Sequence, residues 1–327
     1  MHLPTLDQIH EAQALLYRYM PPTPQYSWPL INQRLGAEIW VKHENYTPVG
    51  SFKMRSALVY AAWMQKERPG LTGVVAATRG NFGQGVSTSA SLLGMKAAIV
   101  VPHGNSTSKN RAMQAQGAEL IVHGQDFQES LEYARDLARQ RGYAMLESFH
   151  ERIVWGTAAY ALEFFQAAPA LDVVYVPIGL GSSICGIVAA REALNHSTEI
   201  VGVTAADSPA TALSFRERKL VLAPARSLLA DGLACSTPNP DAMQIIWSSV
   251  SRIVEVGEES IAKAMQMYYE DAHTLAEGAG ASSLAAAFSE CEAIHGKRVG
   301  VVLTGGNVDR ATYLAALSDD GYDTRQK

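Results

Sequence analysis

The chain has 327 residues, of which 47% are apolar and 18% charged, with a formal net charge of −5. That balance excludes a disordered chain and fits two domains or one large α/β unit. An acidic protein without a basic run also argues against nucleic acid as a partner.

The first twenty residues, MHLPTLDQIHEAQALLYRYM, place Asp7, Glu11 and Arg18 among apolar side chains. They predict a surface helix capped near Thr5 or Asp7, not a signal peptide or a membrane span. Next comes GSFKMR, where Lys53 stands between Phe52 and Met54 after the small residues Gly50 and Ser51. A lysine in that setting is either a snorkelling surface residue or an amine whose pKa burial lowers for chemistry. From residue 70 onward, short apolar runs alternate with helical stretches. GVVAA (73–77), AAIVV (97–101), ELIV (119–122), YAML (143–146), DVVYV (172–176), EIVGV (199–203) and RVGVVL (298–303) read as buried parallel strands, because they are continuous rather than alternating in apolar residues. Helices are expected over 106–116 and 127–141, each followed by a stop glycine, Gly117 and Gly142. The alternation argues for doubly wound α/β architecture. Three cysteines, Cys185, Cys235 and Cys291, lie far apart without C-x-x-C spacing, as expected of reduced thiols in a cytoplasm. The nine histidines show no metal spacing. Met265, Met267, Tyr268 and Tyr269 fall on an expected helix and read as core or subunit contact.

Glycine-bearing segments follow three of the strands, at the ends where open α/β sheets bind ligands. TRGNFGQG (78–85) offers Thr78, Asn81 and the amides of Gly80, Asn81 and Phe82 as a cradle for a carboxylate, with Arg79 either touching substrate or solvated. PIGLGSSICG (177–186) is either a phosphate cradle or a tight strand-to-helix turn. It is no dinucleotide fingerprint, since Ile184 stands where the third glycine belongs, and no Gly-Lys-Ser/Thr follows. TGGN (304–307) is a turn that puts the Thr304 hydroxyl at a strand end.

Taken together, these segments resemble the fold-type-II pyridoxal-phosphate enzymes, and among them the threonine/serine dehydratase (ammonia-lyase) family that also holds serine racemases. The resemblance runs from HENYTPVGSFKMR (43–55) through TRGNFGQG, PIGLGSSICG and EGAGA (277–281) to TGGN, in the family's order. It implies two doubly wound open-sheet domains of the tryptophan-synthase-β type: a large one from 1–50 and 153–327, and a small one from 51–152 carrying Lys53 and the substrate loop. It further implies pyridoxal 5'-phosphate as cofactor, with Lys53 forming its Schiff base and Phe52 packing near the ring. Asn81 would meet the cofactor's 3-hydroxyl, Glu277 would lie near the ring and Thr304 would face the pyridine nitrogen. Gly179, Leu180, Gly181, Ser182 and Ser183 would hold the phosphate. Thr78, Arg79, Gly80, Asn81 and Phe82 would take the substrate carboxylate.

The sequence departs from the family pattern in places. Leu180 and Ser182 replace two glycines of the phosphate loop, and Thr304 replaces a serine but keeps the hydroxyl. Arg79 stands where serine racemases carry a serine that acts as acid/base, and an arginine is a poor proton acceptor. The family's divalent-metal signature is unmatched at Thr204–Pro209, so no metal is expected. The chain ends about where the catalytic unit should, leaving no room for a regulatory C-terminal domain. The resemblance therefore implies conversion of a β-hydroxy-α-amino acid to a 2-oxo acid and ammonia. Threonine or serine is the default substrate; Arg79 leaves 3-hydroxyaspartate open, and Tyr46 or Phe82 a β-aryl serine. The alternatives are β-replacement and racemisation on the same fold. A cytoplasmic homodimer or homotetramer is expected, with no nucleic acid or membrane partner.

Overall fold

In a computed structural model that describes residues 1–318, the N-terminal helix α1 (Leu6–Leu16) begins with a reciprocal cap. The Thr5 hydroxyl accepts from the Gln8 amide, and the Gln8 side chain accepts from the Thr5 amide. The large-domain range expected to reach Lys327 extends beyond the described residues. After α1 come β1 (Gln25–Ser27), α2 (Pro29–Leu35) and β2 (Glu38–His43). A first run of alternation holds α3 (Lys53–Glu67), β3 (Gly73–Ala77), α4 (Asn81–Leu92), β4 (Lys96–Val101), α5 (Thr107–Ala115), β5 (Glu119–Val122), α6 (Phe127–Arg141) and β6 (Ala144–Met145). A second holds α7 (Glu151–Ala167), β7 (Val173–Pro177), α8 (Ser182–Ala193), β8 (Glu199–Ala205), α9 (Ala210–Glu217) and α10 (Pro240–Ser249). It is completed by β9 (Arg252–Val256), α11 (Glu258–Ala272), α12 (Gly278–Ser289), β10 (Arg298–Leu303) and α13 (Arg310–Leu317).

The strands build two open sheets. One has six strands in the order β1-β2-β10-β7-β8-β9, parallel except for β1 against β2. The other is fully parallel, in the order β5-β4-β3-β6. Alternate residues of one strand enter different cores, which is why these strands read as unbroken apolar runs. Tyr175 packs on one face of the larger sheet and Val174 and Val176 on the other; Val74 and Ala76 are separated from Val75 and Ala77 in the same way in the smaller sheet.

All seven expected strands form, three with the expected bounds and four with ends shifted by one or two residues. The helix over 127–141 is capped by Asp126 and ended by Gly142, and that over 107–115 is capped by Ser106. Three strands were not expected. β2 ends in Lys42 and His43, β9 alternates charge and apolar residues at a sheet edge, and β1 has three residues, so none presents a continuous apolar run. In the methionine–tyrosine cluster, Met265, Met267 and Tyr268 are core while Tyr269 is exposed.

Helix α3 lies between the helices that flank the two sheets. A Cβ on Gly85 of α4 would lie 2.5 Å from the Lys53 carbonyl oxygen, and one on Gly156 of α7 would lie 2.5 Å from that of Arg55. Only glycine permits such approaches, so α3 is pressed between α4 and α7 at the turn that carries Lys53. No helix among the described residues is long and apolar enough to cross a membrane.

Candidate active site

Lys53 opens α3 on a turn sewn to the end of β10. Ser51 and Gly305 form an isolated antiparallel bridge, the Phe52 amide donates to the Thr304 carbonyl (3.0 Å), and the Gly306 amide donates to the Gly50 carbonyl (2.9 Å). Thr47 ties the same turn from the other side: its hydroxyl donates to the Ser51 carbonyl (2.6 Å) and accepts from the Ser51 amide (3.0 Å). The turn that carries the lysine is thus tied to TGGN and to Thr47 at once.

Its amine lies 4.5 Å from the centre of the Phe52 ring and 5.9 Å from that of Phe82. Burial among these groups lowers its pKa to about 8, against the opposing pull of Glu277. Glu277 is itself pushed up to about 7 by burial and by Asp231, while Lys109, Asn81 and Lys53 act the other way. A lysine and a carboxyl group are therefore both brought toward neutrality in one cleft, a pattern typical of functional sites. The Glu277 Oε1 accepts from the Asn81 side-chain amide (2.7 Å), and the Asn81 Oδ1 accepts from the Asn307 side-chain amide (2.8 Å), which also donates to the Val49 backbone carbonyl. The Glu277 Oε2 is buried and has no partner among the described residues.

Two rows of backbone amides face open acceptor positions. Helix α8 begins at Ser182 with Gly181 before it and no side-chain cap, and the amides of residues 179 to 184 have no acceptor among the described residues. Gly181 has φ +102°, and its Cβ would sit 2.6 Å from that of Ala242; the Gly179 Cβ would sit 2.6 Å from the Gly232 carbonyl oxygen. Glycine is required at both, whereas Leu180, between them, and Ser182, after Gly181, have no positive φ and can carry side chains. Thr157 donates to the Ser182 carbonyl (2.7 Å), and the Tyr160 and Ser183 hydroxyls are 2.6 Å apart. Helix α4 repeats the arrangement: Gly80 precedes it without a side-chain cap, and the amides of residues 81 to 83 are without acceptors among the described residues. Such amide rows, on helix N-termini, suit anions.

Lys53, Phe52, Asn81, Phe82, Glu277 and Thr304 are thus neighbours in one cleft. Thr78 is buried, its hydroxyl accepting from the Gly80 amide (3.0 Å). Arg79 is exposed and makes no hydrogen bond or ion pair among the described residues. Several neighbours carried no functional reading from sequence: Asn307, Tyr160, Lys109 and Asp231. Lys109 did leave a signal, because a cation in the first turn of a helix opposes the helix dipole. Asp231 and Tyr160 left none.

A profile of the family described as pyridoxal-phosphate dependent enzyme matches residues 17–305. The chain is 33% identical to the L-threonine ammonia-lyase of Thermotoga maritima, over 93% of this chain and 76% of that one. It is 30% identical to the L-threo-3-hydroxyaspartate ammonia-lyase of Saccharomyces cerevisiae, over 98% and 99%. Among solved structures, maize serine racemase superposes with a TM-score of 0.89 at 26% identity, covering 97% of each chain.

Proposed function

The chain belongs to the pyridoxal-phosphate dependent enzyme family, and on that premise we propose that it is an ammonia-lyase converting threonine or serine to a 2-oxo acid and ammonia. The observation that carries the reading is the Lys53 amine, buried beside Phe52, Phe82 and Glu277 with its pKa lowered, in a chain whose helices α4 and α8 both begin with unpartnered amides. The residues fit the cofactor. An aldehyde needs a neutral primary amine, which is Lys53; a phosphate needs a row of donors, which residues 179 to 184 offer; a ring hydroxyl would find Asn81. Thr304 would face the ring nitrogen, and Phe52 and Glu277 would border the ring. Bound there, pyridoxal phosphate supplies an electron sink for the substrate's Cα.

The chain's own residues supply the rest. The amides of 81 to 83, with the Thr78 hydroxyl, whose own proton is free to donate while it accepts from Gly80, hold the substrate carboxylate and so orient Cα. Lys53, freed when the substrate amine takes its place, removes the Cα proton at Nζ, where the lowered pKa keeps a useful neutral fraction. The protonated Nζ then returns that proton to the departing β-hydroxyl oxygen, and water leaves. Later addition of one water releases ammonia, so water balances over the cycle. A hydroxyl at Thr304, unlike a carboxylate, does not force a proton onto the ring nitrogen, which favours prompt loss of the β-hydroxyl over transamination. Racemisation would need a second acid/base on the opposite face, and the guanidinium of Arg79 is a poor proton acceptor.

A substrate panel assayed for ammonia and 2-oxo acid tests the assignment, using L-threonine, L-serine, L-threo-3-hydroxyaspartate and a β-phenylserine. Threonine or serine should turn over best, and Lys53→Ala should abolish turnover and the near-ultraviolet to visible absorbance of bound cofactor. Fastest turnover of hydroxyaspartate, with that preference alone removed by Arg79→Ala, would overturn the substrate assignment.

A further inference from the structure

Lys109 is the third residue of α5, where a lysine would ordinarily extend into water. Here it is buried, and its Nζ donates to the Asp231 Oδ2 at 2.6 Å. Asp231 begins a short turn on the other side of the cleft, and the next residue, Gly232, lies beneath Gly179 of the α8 amide row. The lysine stem reaches that partner by passing directly over Gly80: a Cβ there would lie 2.6 Å from the Lys109 Cδ. The same face of α5 makes a second contact with the six-stranded domain, since Ser106 and Ser108 both donate to Asp309. Burial works against the charge of Lys109, yet Asp231, Glu277 and Asp309 together hold its pKa above the ordinary value. It therefore remains a cation facing three carboxyl groups of the opposite domain.

We propose that Lys109 is a positioning residue whose ammonium, threaded past Gly80, latches the 78–82 loop and the start of α5 onto Asp231 across the cleft. The latch does not touch the reacting atoms. It fixes the loop that, on the reading given above, takes the substrate carboxylate, and only its kinetic consequence rests on that reading. An ion pair of this kind, shielded on the lysine side and reachable by solvent on the aspartate side, can open and re-form without unfolding either domain.

Hydrogen exchange on the cofactor-free chain tests the latch. Lys109→Met keeps the stem and removes the charge; amides of residues 78–83 and of the first turn of α5 should exchange at least about tenfold faster, while those of β4 and α6 stay protected as evidence of a folded domain. Asp231→Asn should do the same. Gly80→Ala should match them by displacing the stem, and the Lys109→Met/Gly80→Ala pair should be no worse than Lys109→Met alone, because both act on one contact. In the holoenzyme the lysine variant should raise KM for the amino acid about tenfold and change kcat by less than about threefold, a loss of uniform binding. Unchanged exchange in Lys109→Met overturns the latch, and so does full additivity with Gly80→Ala. Faster exchange with an unchanged KM leaves the latch standing and refutes the carboxylate role of the loop.

Discussion

Replacing Arg55 by methionine removes the centre of a sealed charge cluster just behind the candidate active site. The guanidinium donates to both oxygens of Glu44 (2.8 and 3.1 Å), to both oxygens of Glu163 (2.7 and 2.8 Å) and to the Thr23 hydroxyl (3.2 Å). Lys42 completes it, donating to Glu163 (2.6 Å) and to the Thr23 carbonyl (2.7 Å). Two cations face two carboxylates, and Lys42, Glu44 and Arg55 have no exposed surface. Methionine preserves the stem but leaves Glu44 with only the Thr23 hydroxyl. Breaking a buried pair costs about 3–5 kcal/mol, well below the sum of five charge-assisted hydrogen bonds, because a stranded carboxylate can take up a proton instead. At roughly 2 °C per kcal/mol for a chain of this size, thermal unfolding followed by circular dichroism should fall by about 6–10 °C. The sign of a second change is more telling. Arg55→Met/Glu44→Gln restores a balanced Lys42–Glu163 pair and should be more stable than Arg55→Met alone. The pH dependence follows the same logic. Burial alone would raise Glu163, but Arg55 and Lys42 bring it below its ordinary value, so its contribution is present above the unfolded pKa and fades as pH falls through the folded one. In Arg55→Met, Glu163 loses the first of the two cations that hold it down, so the deficit should shrink on acidification. A loss under about 1 kcal/mol, or a double variant weaker than the single, would refute the idea that this cluster acts by charge balance.

Three further outcomes are expected. Capture of pyridoxal phosphate by the cofactor-free chain needs the neutral Lys53 amine, so its rate should rise with pH through a midpoint of about 8, and Glu277→Gln should move that midpoint lower by removing the carboxylate that favours the charged form; stopped-flow absorbance measures both, and an upward shift would contradict the assignment. Gly181→Ala, at φ +102° and against Ala242, should weaken cofactor binding by about tenfold or more in equilibrium titration, with the folded cofactor-free protein retained. Arg79→Ala, at an exposed side chain without partners, should shift stability by less than about 0.5 kcal/mol and threonine turnover by less than about threefold.

The framework was legible wherever one local rule dominated. Buried parallel strands read as unbroken apolar runs, and helix ends showed in Ser106, Asp126 and Gly142. The amide rows at 81–83 and 179–184 were likewise marked by glycines that follow strands. What escaped depends on partners far apart in sequence. Lys42 and Glu163 are separated by 121 residues and Lys109 and Asp231 by 122, so nothing near any of these residues announces its partner. The sequence also left Arg79 poised between substrate and solvent, because a loop arginine's direction depends on packing. In the structure it is exposed, whereas the buried cation beside that loop is Lys109.

Helix α7 explains how the two halves of the cleft keep one register. Gly156, Tyr160 and Glu163 fall at i, i+4 and i+7, so they share one face of the helix. Gly156 admits the Arg55 carbonyl, and Glu163 binds the Arg55 guanidinium, which fixes the first turn of α3 both along its axis and about it. Tyr160, between them, lies 6.2 Å from the Phe52 ring and bonds Ser183 at the head of α8. Burial pushes its pKa far up, so the hydroxyl stays neutral and the hydrogen bond carries no charge into the amide row. On the proposed reading, the lysine that would meet an aldehyde and the amides that would meet a phosphate are both positioned from one face of α7. Arg55 follows Lys53 by two residues in α3, about 200° around the helix axis, so the guanidinium can lock that face while pointing away from the Lys53 amine.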